Sequence, residues 1–159
     1  MHIEHFGKYT FLIIALYSLY IFYEFQVKFF FFVLGYVMCI LITFVVKLTL
    51  QLPVPKVDVE SFYILKRNPD YFEKLSYYEM FGMPSGEAVI SLYALTFISF
   101  CTNRFDIPLF LNALLVTISS VVLNYHYVDQ VVVGAFIGCI LGSLLYFYCN
   151  DFIVNRKCS

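Results

Sequence analysis

Five long apolar stretches separated by polar breaks make up most of the chain, at residues 10–23, 29–46, 88–102, 107–123 and 131–149. A helix that crosses a bilayer needs about 20 mostly apolar residues, with about 17 as the lower limit. The last four stretches approach that length, whereas the first reaches it only with its flanks. Tyr17, Tyr20 and Tyr23, with no small-residue cleavage pattern behind them, mark the first as a retained helix rather than a removable leader. The pattern therefore predicts an all-α, polytopic membrane helix bundle of about five transmembrane helices, a single integral-membrane domain over residues 1–159.

Composition strengthens that picture. Hydrophobic residues make up 62% of the 159 and charged residues only 13%, against about 25% charged in an average soluble domain. A soluble enzyme of this size cannot hide so much apolar surface. A net charge of -1 argues against a nucleic-acid partner. Fourteen tyrosines and no tryptophan leave tyrosine to anchor the helices at the interface. Cys39, Cys101, Cys139, Cys149 and Cys158 form no CxxC pair and read as small apolar side chains.

Nine of the 21 charged residues fall within residues 56–79. Inside this polar segment, taken as 56–83, Asn68 and Pro69 read as a helix cap and first helical position, opening a short interfacial helix to about Tyr78. It either lies on the bilayer over the site or merely connects two spans. Five spans place the termini on opposite faces, with this segment, the N-terminus and the 125–130 junction on one of them. The lysines and arginines of the two faces do not decide which side is which.

Three segments carry candidate chemistry. The first runs from Lys47 to Pro53 and Pro55; a lysine at a helix end either snorkels to the interface or serves a site. In the second, Pro84-Ser85-Gly86-Glu87 opens a span, and the N–H groups of a helix start form an anion site, although Ser85 and Glu87 also suit plain capping. The third holds Ser119, Ser120, His126, Asp129 and Gln130. Thr117, Ser120 and Asn124 follow one helical stripe there, and Gly134, Gly138 and Gly142 continue the His126 and Gln130 face. Small residues at that spacing admit a close helix, so His126 should point into the bundle, where an ionisable group is a functional candidate.

Taken in order, these segments resemble the type-2 phosphatidic acid phosphatase and vanadium haloperoxidase superfamily. Its motifs are a lysine, six residues and Arg-Pro; Pro-Ser-Gly-His; and Ser-Arg, five residues and His, usually with an acid four further on. Lys47 and Pro55, Pro84-Ser85-Gly86, and Ser119 and His126 match, over about residues 47–142. Thr49, Gln51, Pro53, Gly82-Met83 and Gln130-Val131 look closest to the dolichyl-diphosphatase-like branch. The resemblance implies a phosphatase of a lipid phosphate or polyprenyl diphosphate. His126 would be the nucleophile, with Gln130 or Asp129 orienting its ring, Glu87 at the general-acid position, and Lys47 and the Ser85, Gly86 and Glu87 N–H groups holding phosphate.

Val54 and Ser120 stand at the two arginine positions and Glu87 at the histidine. A close charge pair is worth on the order of 4 kcal/mol at an effective dielectric of about 20, so two lost cations represent several powers of ten in rate. Lys56, Lys66 or Arg67 would replace them if the polar segment folds over the pocket. We expect no resident cofactor or metal; magnesium or manganese on Glu87, Asp129 and His126 is the alternative the carboxylates leave open. The leading expectation is a membrane phosphohydrolase-like protein. Its rivals are a pseudophosphatase that binds a lipid headgroup or protein without turnover, and a structural protein that self-associates through Gly134, Gly138 and Gly142.

Overall fold

The structure, a computed structural model, describes residues 4–23, 25–55 and 81–157. The expected interfacial helix, Lys56, Lys66, Arg67 and Cys158 lie outside the described residues.

Among the described residues the fold is all-helical, as the apolar pattern predicts. The elements are α1 (Glu4–Phe22), α2 (Gln26–Leu50), α3 (Gly86–Thr102), α4 (Ile107–Val122) and α5 (Val128–Lys157). Both α2 and α5 run past their apolar stretches at each end, because polar residues at a membrane surface keep helical hydrogen bonds and find water or headgroups besides. These two helices are long and apolar enough to cross a membrane. A single antiparallel bridge, Pro53 to Phe81, brings the chain after α2 beside the chain before α3.

Helix α3 is the centre of the bundle, packed most extensively on α5 and then on α2 and α4. Nine of its residues are buried, whereas the others bury one stripe each. On α2 that stripe is Phe32, Gly35, Cys39, Thr43 and Lys47; on α4 it is Leu109, Ala113, Val116 and Ser120. These are the three- and four-residue steps of a helix face. Phe22, Phe32, Tyr93 and Phe97 form an aromatic cluster with ring centroids 5.6–6.0 Å apart, and the Tyr93 hydroxyl donates to the Phe32 carbonyl at 2.8 Å. The outward faces are apolar too, as at Leu41, Val122 and Phe136. An exterior of this kind suits lipid and not water.

The glycines of α5 are occupied inside the chain. A Cβ at Gly134 would lie 2.6 Å from the Ser85 carbonyl oxygen, one at Gly138 would fall on the Val89 carbonyl oxygen, and one at Gly142 would lie 2.8 Å from the Thr96 Cβ. The stripe is thus the seat of α3, the close helix contact inside the bundle that the spacing predicts. Of the cysteines, Cys39 and Cys149 are buried, and Cys101 and Cys139 are partly so; all four are free thiols.

The bundle end away from the candidate site is tied by polar contacts. The Lys28 ammonium donates to the Cys101 carbonyl at 3.0 Å, a cation on the last turn of α3 where the helix dipole favours it. Asp106 caps α4, accepting from the Leu109 N–H at 2.9 Å, and accepts from the Tyr17 hydroxyl at 2.8 Å. Helices α2 and α3 therefore run antiparallel, and the end of α2 meets the start of α3 at the opposite end.

Candidate active site

Lys47 lies in the last turn of α2 on its buried stripe and is only 6% exposed. It faces inward instead of snorkelling, because it continues the Cys39 and Thr43 face into the bundle. Beyond it Gln51 adopts a left-handed conformation and its N–H donates to the Lys47 carbonyl at 2.9 Å, ending the helix. The chain then passes Pro53, and the Gly82 N–H donates to the Leu52 carbonyl at 2.8 Å, which docks the first segment on the second.

Ser85 caps α3 as its sequence context predicts, its hydroxyl accepting from the Ala88 N–H at 3.4 Å. Its own N–H donates to the Gln130 carbonyl at 3.0 Å. That amide, expected among the phosphate donors, is therefore engaged. Among the described residues, the Gly86 and Glu87 N–H groups have no partner in the first turn of α3, where the positive end of the dipole favours an anion. Glu87 is half-buried and interacts electrostatically with Lys47.

Helix α4 ends at Val122. Its last turn closes when the Tyr125 and His126 N–H groups both donate to the Ser120 carbonyl, at 2.9 and 3.1 Å, with Asn124 left-handed at φ 56°. Asn124 is therefore exposed in a turn and does not extend the Thr117 and Ser120 stripe, a correction that follows from the helix stopping two residues earlier. His126 follows in this turn, ahead of α5.

Gln130 holds the arrangement together. Only 2% exposed, it is the third residue of α5, and its side chain reaches back to accept from the Tyr127 N–H at 3.2 Å, half of a capping box. Its Nε2 donates to the Pro53 carbonyl at 3.0 Å, and His126 Nδ1 lies 3.2 Å from its Oε1. A carbonyl can only accept and a backbone N–H can only donate, so these two partners fix which end of the amide points where. Oε1 therefore faces His126, and Nδ1 must carry the proton. In the neutral ring this leaves the lone pair on Nε2. Burial holds the His126 pKa below its ordinary 6.5, and the nearby Lys47 charge pushes the same way, against hydrogen bonds to Gln130 and Gly82. The ring accordingly favours its neutral form near pH 7.

The remaining sequence-named positions fall elsewhere. Asp129 is exposed, turned away from the ring that its neighbour Gln130 touches, since adjacent helical residues point about 100° apart. Among the described residues, Glu87, Asp129 and His126 form no group of three able to hold a metal ion. Val54 is 9% and Ser120 2% exposed, and the Ser120 hydroxyl donates to the Thr117 carbonyl at 2.9 Å; both arginine positions of the resemblance are filled by packed side chains. Gly82 is a residue whose role the motif alone did not reveal: a Cβ there would collide with the Gln130 amide.

The site thus gathers Lys47, Glu87 and His126, with Gln130 binding the three segments at their meeting point. A family model described as the PAP2 superfamily matches residues 28–153, a wider span than the 47–142 of the motifs and one that takes in all but the first two residues of α2. Comparison with curated proteins and with solved structures gives no match.

Proposed function

The chain belongs to the PAP2 superfamily, and on that premise we propose that it is a multi-pass membrane phosphohydrolase acting on a lipid phosphate or polyprenyl diphosphate, with His126 as nucleophile. Membership carries phosphatase-type chemistry on phosphate esters in a membrane-associated protein; the lipid substrate, the five spans and the residue roles are our reading. What supports it is one arrangement: His126 is held in the Nδ1–H form by Gln130, with the charge of Lys47 reaching its ring and the open start of α3 beside it.

In this mechanism Nε2 of His126 attacks phosphorus as the P–O bond to the leaving group breaks. Glu87, in its protonated form, gives its proton to the departing oxygen. Lys47 and the Gly86 and Glu87 N–H groups hold the phosphoryl oxygens where charge builds up. The Glu87 carboxylate then takes a proton from water, whose oxygen attacks phosphorus. The N–P bond breaks, its electron pair returns to Nε2, and inorganic phosphate leaves.

A second reading, a pseudophosphatase that binds a phosphate headgroup without turnover, is favoured by the electrostatic interaction of Lys47 with Glu87, since an ionised carboxylate there would offset the cation a phosphate needs. The test is phosphate release by the detergent-purified protein from phosphatidate, lysophosphatidate, sphingosine phosphate and polyprenyl mono- and diphosphates. Release that disappears in His126→Ala and falls in Glu87→Gln is expected. No release from folded protein that still binds vanadate would select the second reading.

A further inference from the structure

We propose that Gln130 is a positioning residue that works only as an amide, and that the acid of the family pattern cannot take its place. The inference rests on the reading of His126 as nucleophile for its activity arm alone; the geometry stands without it. Oε1 accepts from the Tyr127 N–H and from His126 Nδ1, at 3.2 Å each, and a carboxylate oxygen would serve equally well there. Nε2, however, donates to the Pro53 carbonyl at 3.0 Å. A carboxylate would set a second acceptor against that oxygen, with no proton between them, a repulsive contact in a buried place. The Gln130 main chain meanwhile holds the Ser85 N–H, and Gly82 lies so close that a Cβ would strike the amide. One residue thus sets the tautomer of His126 and fastens the Pro53 and Ser85 segments around it. Capping of α5 alone would require neither the Pro53 contact nor the bare Gly82.

Two substitutions separate these roles. Gln130→Met keeps the length of the side chain and removes every side-chain hydrogen bond. Gln130→Glu keeps the acceptor and removes the donor. Nitrogen-15 histidine spectra of the detergent-solubilised protein, with the His126 signal identified by its loss in His126→Gln, report the tautomer directly. Wild type is expected as the neutral Nδ1–H form, and Gln130→Met is expected to move toward Nε2–H. Gln130→Glu is expected to retain Nδ1–H yet unfold at a lower temperature than wild type. In phosphate release, Gln130→Met is expected to lose about ten- to a hundredfold in kcat with little change in KM, the effect of one lost hydrogen bond to a reacting group, and Gln130→Glu is expected to lose activity through the displaced Pro53 segment. An Nε2–H wild type, an unchanged tautomer in Gln130→Met, or a Gln130→Glu variant as stable and as active as wild type would each overturn the inference. A wild type without phosphatase activity would instead strike the functional reading, and the tautomer and unfolding measurements would still decide this one.

Discussion

At residue scale, the chemistry turns on which of two neighbours faces inward. Asp129 and Gln130 are both plausible partners for His126 by spacing, yet only Gln130 is buried against the ring. The same burial makes a prediction about acid. Because the folded pKa of His126 lies below its ordinary 6.5, the unfolded chain takes up a proton first as the pH falls. Stability is full above about 6.5 and declines as the pH drops from there toward the folded value. The unfolding midpoint of the solubilised protein should fall through that window, and His126→Gln, which cannot titrate, should flatten the decline. An equal decline in His126→Gln would assign it to other groups.

At the scale of elements, all five helices were legible because each apolar stretch is long and bounded by polar residues. Their ends were less so: the helices continue through Lys47 and Asn150, where hydropathy drops but backbone hydrogen bonding does not. The inward turn of Lys47 follows from a four-residue step through Cys39 and Thr43, visible only once the buried face of α2 is known. The contacts of Gln130 with Pro53 and Ser85 were not legible, since nothing local encodes a partner dozens of residues away. The glycine stripe was legible as a close helix contact facing the bundle, and the helix it seats is α3. Gly138→Ala would place a methyl on the Val89 carbonyl oxygen and 2.9 Å from the Tyr93 nitrogen, both backbone atoms. We expect a loss of roughly 1–3 kcal/mol, read as a lower unfolding midpoint. With both helices in one chain, the loss should not vary with protein concentration.

At the scale of the whole molecule, the proposed count of five spans would place the two ends of the chain on opposite faces. Epitope tags at the two ends should differ in intact membranes, one open to added protease and the other protected until the membrane is broken. Equal accessibility would reduce the span count by one or add one. The bundle also has a consequence for how the protein is made. His126 and Gln130 arrive with the last helix, whereas Lys47 and Glu87 belong to helices synthesised much earlier, and the bond from Gln130 to Pro53 joins the two groups. On the proposed reading, a nascent chain whose α5 has not yet docked carries Lys47 and Glu87 without the Gln130 clasp that seats His126, so the site takes shape only when α5 joins the bundle.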